Sequence, residues 1–154
     1  MKKPKLVKTS VDKSIEELAS RTAHRKLAIW AADCAERVLP YFEERYSEDN
    51  RPRKAIEAVR EWAQTGVFNM ADIRKDALAA HAAAREVEED NAARSAARAA
   101  GQALATAHVS RHAIAAAIYA ATAVRDATNS SDADVTTVNE RNWQYQHLLE
   151  LGSC

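Results

Sequence analysis

The stretch "AARAAGQALATAHVSRHAIAAAIYA", residues 96–120, decides the fold. It carries one glycine, no proline and no alternating strand pattern, and alanine is the strongest helix former. On a wheel at 100° per residue, residues 102–126 place apolar side chains in every direction, among them Leu104, Val109, Ile114, Ile118, Tyr119 and Val124. A helix that is apolar all round lies at the centre of a bundle. Two readings of its length stay open. Either Ser110 caps a further helix from about Arg111 to Thr128, or one long helix bends near Ser110. Helices faced with alanine approach to the short end of the usual ~8–10 Å range, so tightly packed central helices are expected.

Working outward, "NMADIRKDALAAHAAAREVEED" reads as a helix from about Met70 to Glu88, with only a brief polar break near Asp90 before the alanine-rich run. Ahead of it, Asp49 or Asn50 can cap a helix whose first turn takes Pro52. Ala55, Ile56, Val59, Trp62 and Ala63 form its buried face, and Gly66 stops it. A longer helix from about Thr22 to Tyr46 carries the stripe Leu27, Trp30, Ala31, Cys34, Val38, Tyr41 and Phe42. Pro40 should kink or break it after Leu39. A short first helix runs from about Val11 or Ser14 to Ala19, with Ser14 and Glu17 as a capping box. Residues 1–12 read as a flexible arm. Residues 129–135 read as a loop before a last helix, from about Thr136 to Leu151. Its inner side is expected to hold Val138, Trp143, Gln146 or His147, and Leu149–Leu151. The fold class is therefore all-α: one domain over 1–154, a bundle of about six or seven helices.

Charge and composition remove several function classes. Lys plus Arg and Asp plus Glu each number 22, so the chain lacks the basic excess that drives phosphate neutralisation, and no nucleic-acid partner is expected. The opening "MKKPKLVK" is basic but is followed by no apolar secretory core. No apolar run approaches the ~20 residues of a membrane span, so no membrane partner is expected. Cys34 and Cys154 do not make a disulfide framework, and a reducing cytoplasm is the default location.

No complete catalytic motif appears. The sharpest chemical feature is "AHVSRH", residues 107–112, with His108 and His112 at a spacing that clamps a metal on a helix. His81 is the candidate third ligand, and Asp126 or Cys34 a fourth. The Glu of a zinc hydrolase is missing from the spacing. The residues favour no metal and no cofactor: two buried imidazoles bonded to a carboxylate or carbonyl of a neighbouring helix, with His81 close by. Asp33 sits beside Trp30, where a carboxylate needs a partner. Arg37, one turn on, or Arg51 or Arg53 folding back, would supply it and pin the second helix to the third. Asp33, Arg37, Arg51, Arg53, His81, His108 and His112 are thus expected as a structural polar network. Cys34, in mid-stripe, is expected to be an inert buried thiol. The "REVEED" run is a solvated face without the pattern of a calcium loop, and the three glycines form no phosphate-cradling loop.

Five blocks in order carry a family resemblance: "LAIWAADCAERVLPYFEE" (27–44), "DNRPRKAIEAVREW" (49–62), "AAHAAAREV" (79–87), the 96–120 run, and "ERNWQYQHLLEL" (140–151). The chain resembles the immunity proteins of bacterial toxin systems, in the small all-helical immunity-five-like family. "DCAERVLP" and "RPRKAIEA" are the specific pieces, since composition alone would not generate them. The resemblance implies a non-enzymatic protein that binds a cognate toxin and blocks it. It brings no catalytic residues. Hot spots on such a surface are aromatic and Arg side chains, so Tyr41, Tyr46, Trp143 and Tyr145 are candidates, with Arg51 and Arg53. The neutral charge argues against mimicry of nucleic acid. Two rival expectations are an acid–base or metal enzyme centred on His81, His108, His112 and Asp33, and a module that forms homo-oligomers through its alanine-rich face or the Trp143 helix.

Overall fold

A computed structural model describes residues 5–152, and among these the chain forms seven α-helices and no strand. They are α1 (Asp12–Ser20), α2 (His24–Glu43), α3 (Arg51–Thr65), α4 (Met70–Arg85), α5 (Ala92–Ala105), α6 (His112–Ala127) and α7 (Ala133–Gly152). Cys154 lies outside the described residues.

The middle of the bundle is α5, which packs against α2, α3, α4 and α6. Ala96, Ala97, Ala99, Ala100 and Ala103 have no exposed surface. The central helix is thus α5, not the 102–126 segment expected, because the helical run is broken. After Ala105 the chain passes through turns over 106–111, with His112 N–H bonded to the Val109 carbonyl and Ala113 N–H to that of Ser110. Two contacts act at the break. Thr106 Oγ1 donates to the Gln102 carbonyl, and His24 Nε2 reaches the Thr106 carbonyl at 2.5 Å, taking up an acceptor that a helix end leaves unpaired. These α5 alanines are spent inside the monomer and are not the ones that a second copy would meet.

The partly exposed residues of α5 form one narrow stripe. Arg94, Arg98 and Gln102 are spaced four apart, hence in line on one side. Arg94 donates to the Val87 carbonyl just past α4, Arg98 Nη1 to His81 on α4, and Gln102 Oε1 accepts from His112 on α6.

Local signals account for several helix ends. Asn69 and Asn91 cap α4 and α5 with their side chains, Pro52 sits in the first turn of α3, and Gly66 ends α3 in the left-handed conformation at φ 73°. The box before α1 lies earlier than Ser14: Thr9 N–H and Oγ1 donate to Asp12 at 3.0 and 2.7 Å. Pro40 does not break α2, which continues to Glu43, so the missing N–H falls in the last turn. The expected arm is in part laid down. Val7 is buried, and its N–H donates to Thr122 Oγ1 on α6 at 3.3 Å. The last loop is shorter than 129–135, because α7 begins at Ala133.

The inner face of α7 is the largest departure from the apolar pattern. Val138 and Leu149, expected inside, are exposed. The buried residues are Thr137, Glu140, Arg141, Gln144 and Leu148. Their steps of three and four are those of a packed helix face, but the residues are mostly polar. Each is satisfied. Arg141, 1 % exposed, donates to Asp12 Oδ1 on α1 from Nε and Nη2 and to Gln144 Oε1 from Nη1. Gln144 Nε2 donates to the Ala117 carbonyl of α6, and the Gln144 carbonyl accepts from Trp30 Nε1 of α2. Arg37 forks onto Glu140 at 2.8 and 2.9 Å.

Candidate functional site

His81, His108 and His112 all line one cavity of about 200 Å³ between α4 and the α5–α6 junction. Its walls are otherwise mostly apolar, with Ile73, Ala77 and Ala105 inside and Met70 and Leu78, both exposed, at the rim, where Arg74 adds a cation. The α5 stripe supplies Gln102. The three histidines come from three different segments: α4, the 106–111 turn and the first position of α6. The helical clamp of His108 and His112 therefore does not form. His108 is exposed and stacks on Phe68, ring centroids 6.2 Å apart. This corrects the expectation of two buried imidazoles; the broken helix turns His108 outward. The partner of His112 is a carbonyl oxygen of a neighbouring helix, as expected, and it belongs to the side-chain amide of Gln102 on α5, with Oε1 at 2.8 Å. Among the described residues no group of three or more His, Cys, Asp or Glu side chains is gathered as a metal would require.

Hydrogen-bond partners fix the ring tautomers. Arg98 has only donors, so His81 Nδ1, 3.1 Å from Arg98 Nη1, must be the acceptor and Nε2 carries the proton. Gln102 Oε1 only accepts, so His112 Nδ1 carries the proton and, in the neutral ring, Nε2 is an acceptor. Burial, with the cations Arg98 and Arg85 beside it, pulls the His81 pKa down to about 4. Burial, then Arg111 and His108, also lowers that of His112.

A pH dependence follows. His81 is neutral in the fold until about pH 4, but takes a proton at the ordinary 6.5 once unfolded. Its contribution is whole above 6.5 and is lost as pH falls from 6.5 towards 4. Discounted for solvent at its open side, the loss is about 2 kcal/mol. Denaturant midpoints measured at steps from pH 7 to 4.5 should fall, and His81→Gln should flatten most of that slope; a variant slope equal to the wild type would refute it.

Gly101 holds the ring in place by having no side chain. A Cβ there would stand 2.7 Å from His81 Nε2 and 2.9 Å from Cε1, inside contact distance. Gly101→Ala should therefore swing the imidazole off Arg98. An NMR titration of His81 should show its pKa rising toward 6.5 in this variant, and an unchanged titration would show the contact to be slack.

The carboxylate half of the expected network lies elsewhere. Asp33 accepts from Arg60 of α3 at 2.8 Å and from His147 of α7 at 2.7 Å. It does link the second helix to the third, but through neither Arg37 nor Arg51 nor Arg53. Arg37 is held by Glu140, Arg51 by Asp49 and Glu86, and Arg53 by Glu43. Arg60, Glu140 and His147 are partners that sequence reasoning missed. Trp143 is stacked on His147, centroids 4.8 Å apart, and the Arg37 guanidinium lies 3.8 Å from the centre of its ring. Asp33, Arg37, Arg60, Trp143 and His147 thus surround a shallow hollow of about 260 Å³. Glu36 also lines the hollow and is paired with Arg60 at 3.3 Å. Tyr41, Tyr46 and Tyr145 are half-buried against the core and not displayed as exposed anchors; Tyr46 packs on Phe42 at 5.1 Å. Cys34 is fully buried, and burial, with Glu140 and Asp33 near, pushes its thiol well above the ordinary range.

No helix among the described residues is long and apolar enough to cross a membrane. A search of curated proteins and a search of solved structures each returned no match. A family model described as "Imm-5 like putative immunity protein" matches residues 17–151, from within α1 nearly to the end of α7. That span is most of the chain, and the chain belongs to this Imm-5-like immunity protein family.

Proposed function

We propose that the protein is a non-enzymatic cytoplasmic inhibitor that neutralises a bacterial toxin by direct binding, with the corner between α3 and α4 as its contact face. The observation that carries the choice of face is a concentration of large exposed apolar side chains. Val67, Phe68, Met70 and Leu78 are 74, 42, 42 and 58 % exposed: Val67 and Phe68 lie in the stretch that joins α3 to α4, Phe68 stacks on His108, and Met70 and Leu78 of α4 line the histidine cavity. Single exposed apolar residues are ordinary on a surface; several gathered beside a cavity mark an interaction site. The histidines at this site support binding over catalysis. His81 and His112 are held neutral, each tied through Nδ1 to a group with no carboxylate, so neither is activated as a general base. Family membership supports a toxin as the partner.

Co-purification of the tagged chain with toxins encoded beside its gene tests the reading. The wild type should capture a neighbour-encoded toxin, and Leu78→Lys should weaken capture at least tenfold, as loss of a central anchor does (about 1.4 kcal/mol or more). Failure of the wild type to bind any such protein would overturn it. A second copy of the chain on the same corner would show instead as a dimer by sedimentation.

A further inference from the structure

At this cavity the His81 and His112 rings leave over one donor and one acceptor, and these bear on its occupant. Among the described residues neither His81 Nε2 nor His112 Nε2 has a hydrogen-bond partner, their Nδ1 atoms being held by Arg98 and Gln102. The fixed tautomers make His81 Nε2–H a donor and His112 Nε2 an acceptor. A carboxylate would accept from His81 Nε2–H and from Arg74 at the wall but would set its own lone pairs against His112 Nε2, an ammonium would need acceptors at both nitrogens, and a hydrocarbon would leave both unpaired. A hydroxyl gives one hydrogen bond and accepts another, so it suits this pair. The rest of the wall is mostly apolar, with Met70, Ile73, Ala77, Leu78 and Ala105 beside Arg74, Gln102 and His108, and the apolar part suits a ring. A dry apolar cavity of roughly 150 Å³ accepts benzene. The cavity here is about 200 Å³, enough for the ring and its hydroxyl.

The geometry points to a binding site for a neutral phenol ring, supplied by a tyrosine side chain of the bound toxin. A free phenol would fill the cavity but leave Phe68, Met70 and Leu78 exposed around it. A protein that inserts a tyrosine covers that rim in the same contact. Tyrosine is also among the residues that dominate interface energetics when one end is buried and the other is hydrogen-bonded. This identification of the anchor rests on the toxin-binding reading, whereas the phenol chemistry of the cavity does not.

The first arm uses p-cresol, which is the tyrosine side chain cut at Cβ, with toluene and p-toluate as controls, added to the full chain. Imidazole NMR signals of His81 and His112 are the readout. p-Cresol should shift both and bind several-fold more tightly than toluene or p-toluate, because each control loses at least one hydrogen bond. Ala77→Leu, and separately Ala105→Leu, fill the cavity and should abolish the shifts in whichever variant folds. Unmoved histidines at saturating p-cresol would overturn the site, as would equal binding of toluene. The second arm uses a toxin captured by the wild-type chain. One Tyr→Phe substitution on that toxin should weaken capture about fivefold. If the toxin binds Ala77→Leu and wild type equally, the tyrosine anchor falls while the toxin reading stands. If no toxin is captured but p-cresol still moves both rings, the toxin reading and its tyrosine fall, and the site takes a free phenol.

Discussion

Asp12→Ala should cost about 4 kcal/mol of unfolding free energy, more than Arg141→Met, although Asp12 is the more exposed partner of the pair. The asymmetry comes from what each change leaves behind. With Asp12 gone, the Arg141 guanidinium keeps only Gln144 Oε1 and stays buried in α7, its side chain 1 % exposed. An unpaired buried cation costs about 3–5 kcal/mol. The Thr9 contacts that open α1 go with it. With Arg141 gone, Asp12 keeps its bonds from Thr9 and can hydrate, its side chain being 26 % exposed. Methionine then fills most of the volume, so about 1–2 kcal/mol is expected. Asp12 also has its own pH signature. Burial pushes its carboxyl up, but the hydrogen bonds from Thr9 and Arg141 outweigh that and hold it below its ordinary 3.8. Its contribution is complete above 3.8 and is lost as pH falls through the lowered value, below the window in which His81 acts. Urea unfolding of the two variants decides the matter; a larger loss for Arg141→Met would show that volume, not charge, governs this contact.

Ala100→Leu is the second large effect, about 3 kcal/mol or more, because α5 is packed on three sides and Ala100 has no exposed surface. The three added carbons have nowhere to go without separating α5 from its neighbours. Leucine is nearly as good a helix former as alanine, so helix propensity does not explain a loss. Thermal unfolding measures it. A variant within 1 kcal/mol of wild type would mean that the central helices have slack between them, and the close alanine packing would have to be abandoned.

The same physics explains what could be read in advance. The bundle was legible because alanine and three-to-four spacing speak to local backbone and burial together, as in α2, where Trp30, Cys34, Val38 and Phe42 are all buried as the stripe implies. Helix ends were legible wherever one residue does the work, as at Gly66 and Pro52. The inner face of α7 was not, because reading apolar as inside fails when buried polar groups find distant partners: Glu140 meets Arg37 from 103 positions away, and Arg141 meets Asp12 from 129. The spacing of Thr137, Glu140, Arg141, Gln144 and Leu148 was the signal present, had polar residues been allowed an inner face. In the candidate site, sequence identified the three histidines that share the cavity, but not the break at 106–111 that brings them from three directions. At that break His24 of α2 reaches a carbonyl 82 positions away, a contact that no local pattern encodes.

The polar stripe of α5 has a consequence for uniqueness of the fold. Two alanine-faced helices are nearly smooth cylinders, and sliding one along the other by a turn trades each methyl contact for another like it. Apolar packing alone would leave several longitudinal alignments close in energy. Arg94, Arg98 and Gln102 remove that degeneracy, since a shift of one turn, about 5.4 Å, carries each out of reach of Val87, His81 and His112 at once. The three groups act as detents that set the alignment of α4, α5 and α6, and removing them should give a chain that is still helical and compact but no longer settles into one arrangement.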